Sequence, residues 1–167
     1  MGASKSKTSP NIHFIRAVKI GNLALSKEFV EAGASVEFKD KEGNTALALA
    51  VTNGSRLIIE WLISTHHVNL NVKNKDGCTP LMYAASVGHI DILKYLVEKG
   101  CTIDETNGDL FTALHWSAYV GNIDAVKSLV HLGANVRAKN IHGQCPKDMA
   151  ETHEIIQYLT TVMESVV

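Results

Sequence analysis

Over residues 75–104, apolar and polar positions alternate in a way that predicts a turn followed by two short helices. Asp76-Gly77 makes the turn. Thr79 is placed to cap a helix, and Pro80 falls at the first helical position, where its missing N–H costs nothing. Leu81, Ala84 and Ala85 then recur at helical spacing, and the small alanines let a neighbouring helix approach closely. Gly88 stops that helix. Ile92, Leu93, Leu96 and Val97 form the apolar face of a second helix, which Gly100 ends in the left-handed conformation that other residues resist.

The pattern repeats along the chain. Thr45, Thr79 and Thr112 are separated by 34 and 33 residues, and Gly21, Gly54, Gly88 and Gly121 step by 33, 34 and 33. Each of these glycines precedes a polar residue: Asn22, Ser55, His89 or Asn122. A unit of this size has too little core to bury alone, so a period near 33 predicts a stack of helix–turn–helix units with a shared core. Five are expected, at residues 11–40, 41–74, 75–107, 108–140 and 141–167. They form one repeat domain over 10–167 behind a lead of residues 1–9.

Each unit departs from the pattern in its own way. In the first, Ser9-Pro10 opens a helix with Phe14, Ala17 and Val18 on its apolar face, and a second helix is expected over residues 26–32, ending at Gly33. The second unit offers Leu57, Ile58, Ile59 and Leu62, and replaces the closing glycine with Thr65-His66-His67, whose extra residue accounts for the spacing of 34. The His pair reads as an irregular exposed turn, since no further metal ligands accompany it. In the fourth unit Gly108-Asp109 comes early and Leu110 stands in the usual glycine place. The last unit keeps Pro146 and Ala150 but drops about three residues before Ile155, Ile156 and Leu159. Its polar Lys147, Asp148, Glu151, Glu154 and Gln157 suit a terminal cap with nothing stacked beyond it.

Composition narrows the function. Sixteen Lys and Arg against seventeen Asp and Glu leave a net charge of −1, with no basic excess to hold nucleic acid. No apolar run approaches the ~20 residues of a membrane helix, and none follows Met1 as a secretion signal. Cys78, Cys101 and Cys145, odd in number and far apart, read as reduced thiols in an intracellular protein. No phosphate-binding loop, dinucleotide fingerprint, zinc spacing or nucleophile motif is present, so no catalytic residue, cofactor or metal is assigned. Residues 1–7, Met-Gly-Ala-Ser-Lys-Ser-Lys, match the myristoylation pattern with Gly2 as candidate acceptor, and they resemble the amino terminus of Src-type kinases. A chance small-residue start or a cloning scar gives the same letters. One acyl chain with Lys5 and Lys7, each lysine worth about 1 kcal/mol, would hold an anionic membrane reversibly.

The unit at 75–104, with Thr79-Pro80-Leu81, Ala84-Ala85, Gly88-His89 and Gly100, resembles an ankyrin repeat, whose signature is Thr-Pro-Leu-His-x-Ala-Ala, then Gly-His, then Gly-Ala. The resemblance implies an all-α solenoid of stacked helix pairs with projecting β-turn fingers. It also implies a concave face, made of fingers and first helices, that docks another protein or peptide. His115 holds the signature histidine place, which in the family is structural.

On a helical wheel Ser117 and Ala118 fall beside Leu114, whereas Trp116, Tyr119 and Val120 fall opposite, on the side the family turns toward the groove. Tyr83 holds the matching place one unit earlier, and Phe111 the adjoining finger. The candidate partner-binding residues are therefore Phe111, Tyr119, Trp116 and Tyr83, with Asp109, Lys75 and Asp76 on the fingers. The finger tips run from lysine-rich (Lys39, Lys41, Lys73, Lys75) to acidic (Asp104, Glu105, Asp109) and back to basic. Two functions fit: an adaptor, lipid-tethered where Gly2 is acylated, and an inhibitor or regulatory subunit of an enzyme. Either is expected as a monomer in the cytoplasm, at its membranes, or in the nucleus.

Overall fold

Helices of 7 to 13 residues are marginal in water and persist only when capped and packed. In a computed structural model of the chain, residues 9–165 are described. They form nine α-helices and one 3-10 turn, with no strand among the described residues. The helices are α1 (Pro10–Lys19), α2 (Leu23–Glu31), α3 (Ala46–Thr52), α4 (Arg56–His66), α5 (Pro80–Val87), α6 (Ile90–Glu98), α7 (Ala113–Tyr119), α8 (Ile123–His131) and α9 (His153–Ser165), with the 3-10 turn at Pro146–Met149. The class is the all-α repeat solenoid that the resemblance implies.

The described residues divide into two compact units after Val68. In the first, α1 packs on α2 and α3, and α3 on α4. Its fully buried side chains include Phe14, Leu47, Ile58, Ile59 and Leu62, and the Phe14 ring meets Trp61 edge-on at 6.5 Å. In the second, α5 packs on α6 and α7, α7 on α8 and the 3-10 turn, and α9 on α8 and that turn. Leu81, Leu93, Leu96, Leu114, Leu129, Ile155 and Leu159 fill its core.

Threonine caps start the first helix of three pairs. Thr45, Thr79 and Thr112 accept from the backbone N–H of Ala48, Met82 and His115, and each threonine is itself buried. Gly88 ends α5 in the left-handed conformation, with φ 86°.

Several expectations need correcting. Ser9 stands at the α1 N-cap, but its side chain makes no capping bond; Pro10 alone sets that start. The second helix begins at Leu23, not Ser26, because Asn22 caps the Leu25 N–H at 2.9 Å. Ser26 is an interior residue, and its hydroxyl donates back to the Asn22 carbonyl. Leu57 is 66% exposed, so the α4 core face is Ile58, Ile59 and Leu62. In the last unit the expected first helix is a four-residue 3-10 turn, after which Ala150 is extended. The shortened segment leaves no room for another helical turn before α9. Asp148 is exposed, as expected of the polar outer face, and it also accepts from the Cys145 N–H at 2.9 Å, which caps that turn. Ile156 is 37% exposed.

Candidate partner-binding site

The site begins with a turn that recurs four times. Asp40, Asn74, Asn107 and Asn140 each start a finger, and each side-chain Oδ1 accepts two backbone N–H groups, two and four residues on. A backbone bond closes each tip, running from the fourth residue back to the first: Gly43, Gly77, Leu110 and Gly143. In the second unit neighbouring tips are joined, Gly108 N–H to the Asp76 carbonyl at 3.4 Å and Ile141 N–H to the Asp109 carbonyl at 3.1 Å. Nothing in the composition flagged these Asx residues. Their own spacing of 34, 33 and 33 was the available signal.

Thr112 closes the third finger and starts α7, and His115 locks the two together. Its Nδ1 accepts from the Thr112 N–H at 3.2 Å, which leaves Nε2–H to donate to the Gln144 carbonyl at 3.1 Å on the next finger. His115 is fully buried. Burial lowers its pKa below the usual 6.5, outweighing the bond to Gln144. The imidazole is thus a neutral strut, as the family resemblance implies for this position.

On the opposite side of α7 the aromatic residues form a connected ridge. The Phe111 ring lies 5.6 Å from His115 and 5.8 Å from Trp116, and Trp116 meets Tyr119 edge-on at 6.4 Å. Phe111 and Trp116 are half-buried, whereas Tyr119 is 47% exposed and Val120 45%. Beside the ridge a pocket of about 200 Å³ is lined by Asp76, Cys78, Met82, Tyr83, Ser86 and Trp116. The Trp116 indole N–H is buried, and no hydrogen-bond acceptor is found for it among the described residues.

The fold therefore gathers Phe111, Trp116 and Tyr119 into one ridge, and Tyr83 and Asp76 onto the pocket next to it. The Tyr83 hydroxyl accepts from Asn74 Nδ2 at 2.8 Å, so this ring is moored to its own finger. Asp109 is exposed, and its carbonyl is engaged by the Ile141 N–H. Lys75 is exposed at its tip, outside the pocket lining. Gly2, Lys5 and Lys7 lie outside the described residues.

Nucleophilic chemistry is disfavoured at Cys78 and Cys101. All three cysteines are free. Burial, with Asp76 next in weight, pushes the Cys78 thiol up, and burial raises Cys101 to about 12. No group of three or more His, Cys, Asp or Glu among the described residues could hold a metal ion, and no described helix is long and apolar enough to cross a membrane. His66 packs edge-on against Trp61 at 4.8 Å, and His67 ends α4 with φ 49°.

Residues 14–107 and 57–140 match a family model described as Ankyrin repeats (3 copies). Among curated proteins, the probable 26S proteasome regulatory subunit p28 of Saccharomyces cerevisiae is 40% identical over 75 residues, 45% of this chain and 33% of the subunit. The 26S proteasome non-ATPase regulatory subunit 10 of Dictyostelium discoideum is 32% identical over 84 residues, 50% of this chain and 36% of that one. Alpha-latrocrustotoxin-Lt1a of Latrodectus tredecimguttatus is 38% identical over 66 residues, 40% of this chain and 5% of the toxin. The chain thus spans little more than a third of these relatives at most. A toxin and two proteasome subunits share the match, so it identifies a scaffold and leaves the partner open.

Proposed function

This chain belongs to the ankyrin-repeat family, and on that premise we propose that it is a non-catalytic interaction module. It docks a protein or peptide on fingers and first helices, with the aromatic ridge of α7 as the main contact. The observation that carries this reading is the ridge itself. Phe111, Trp116 and Tyr119 are in ring contact, Tyr119 is half exposed, and a buried indole N–H beside a pocket has no acceptor among the described residues. Large rigid rings contribute most to interface energies, and an unpaired buried donor gains from any partner carbonyl or carboxylate that reaches it. Asp109, Lys75, Asp76 and Tyr83 serve as the rim.

The test uses the physiological partner, isolated by cross-linking from the native cell and titrated against purified variants. Tyr119→Ala and Phe111→Ala are each expected to weaken binding by about 2 kcal/mol while leaving the melting temperature nearly unchanged. If both bind normally, or if both unfold the protein, the ridge is not the site.

The two proteasome subunits among the relatives favour a second reading, a regulatory subunit or inhibitor that blocks an enzyme through the same face. A single stoichiometric enzyme in the isolated complex selects this reading; several unrelated partners select the adaptor. We further take residues 10–167 as five repeats behind a short lead, the last built on the 3-10 turn and α9, working as a monomer in the cytoplasm or nucleus. Acylation at Gly2 would add a reversible membrane contact. Intact mass of the protein from its native source decides that point, and an unmodified Gly2 there ends it.

A further inference from the structure

A second groove lies in the first unit, between α1 and the finger that follows α2, with a volume of about 580 Å³. Its floor is apolar: Ile12 and Ile15, one helical turn apart on α1, face Phe38. Ile12 is 40% exposed, so part of this floor is open to solvent. Its walls are basic. Arg16 and Lys19 continue the same stripe of α1, and Lys39 and Lys41 come from the finger. Asp40 is the one carboxylate in the lining, and Lys19 holds it at 3.2 Å. Burial alone would raise the Asp40 carboxyl, but the Asn44 N–H and Lys19 outweigh it and keep it ionised.

Glu42, just outside the lining, pairs with Lys41 at 3.3 Å where both side chains are open to water. Four cations against two carboxylates thus surround an apolar floor, in a chain whose net charge is only −1. A wholly apolar ligand would strip water from Arg16 and the lysine heads while bringing no carboxylate of its own. A flat anionic surface would meet the walls and leave the floor unfilled. We propose that this groove docks a protein segment in which an acidic residue stands beside a large apolar one. The inference shares with the proposed function the premise of an interaction module, but it does not depend on the α7 ridge.

The experiment is fluorescence anisotropy on the full chain with two labelled peptides of about ten residues, one alternating Glu with Leu and the other Lys with Leu. The Glu peptide should bind and the Lys peptide should not. Binding of the Glu peptide should fall about ten-fold in the Arg16→Glu/Lys41→Glu variant, and again as salt is raised past the Debye screening range. Ile12→Ser should weaken it with the charges intact, and Tyr119→Ala should leave it unchanged. Where the charge-reversed protein melts early, Arg16→Gln/Lys41→Gln replaces it. Equal binding of both peptides overturns the inference, as does an unchanged affinity in the charge variants. Loss of the Glu peptide in Tyr119→Ala assigns the effect to the ridge instead. Capture of the protein by phosphatidylserine vesicles, with the Glu peptide left unbound, makes the groove a membrane contact and ends the peptide reading.

Discussion

Segments 74–87 and 107–120 are built on one frame and carry different surfaces. Asn74 and Asn107 each accept the N–H groups two and four residues on, Thr79 and Thr112 each cap a helix, and Leu81 and Leu114 each point into the core. Between these shared points the residues diverge. Gly77 corresponds to Leu110, Met82 to His115, Tyr83 to Trp116 and Ser86 to Tyr119. The shared positions each satisfy a buried backbone group or fill the core. The divergent ones either face outward or tune how strongly the finger is tied to the helix. A repeat scaffold can therefore exchange its binding surface without disturbing its geometry.

The glycine position shows where that freedom ends. Gly77 and Leu110 both adopt positive φ, 79° and 60°. At Gly77 an added Cβ would lie 2.7 Å from the Gly108 backbone nitrogen of the next finger. This contact gives Gly77 its reason to be bare, whereas a Cβ at Gly108 would meet only the Asp76 carbonyl at 3.8 Å. Leu110 is 44% exposed, so its side chain has room, and it bears only the cost of the left-handed backbone.

Converting one segment into the other should break the comparison most at this point. Gly77→Leu is expected to cost about 4 kcal/mol in urea denaturation, because left-handed strain adds to backbone overlap. A cost under about 1 kcal/mol would mean the fingers are free to part.

Next in size is His115→Met, which copies Met82. It loses the bond to the Gln144 carbonyl. It exchanges the ring nitrogen that accepts from the Thr112 N–H for a weaker sulfur acceptor, of the kind Met82 offers Thr79 at 3.5 Å. The substitution should cost about 2 kcal/mol. It should also change the pH response. Because burial holds the folded His115 pKa below its ordinary 6.5, its contribution is complete above that value and is lost as pH falls through it toward the folded pKa. Wild-type stability should drop below pH 6.5 more steeply than that of the variant. Parallel pH profiles would contradict the neutral strut.

The smallest change is Leu110→Gly. Relief of about 1–2 kcal/mol of backbone strain is offset by about 0.5–1 kcal/mol of added unfolded-chain freedom, leaving a net gain near 0.5 kcal/mol. A loss of stability would show that the leucine side chain has a structural contact of its own.

Most of the fold was legible because its signals are local and repeated. Thr79-Pro80, the glycine steps and the Leu81-Ala84-Ala85 spacing each dictate backbone conformation within a few residues. The misread points lack such a signal. Asn22 and Ser26 are both good caps, and only packing decides that Ser26 turns inward. Leu57, Ile58 and Ile59 are consecutive, so an apolar run carried no phase to mark Leu57 as exposed. The site was legible as far as the wheel reaches. It put Tyr119 and Trp116 opposite Leu114. Ring contacts, the buried indole N–H and the groove on α1 depend on how elements meet, which spacing alone does not encode.

The central claim is that the α7 ridge takes the partner, and site-specific photo-crosslinking tests it most directly. A benzophenone amino acid placed at Tyr119 should trap one defined partner in the native cell. The same group at Lys27, exposed on α2 in the first compact unit, should trap none. A partner trapped equally at both positions, or a complex that forms without any adduct at position 119, would contradict the account.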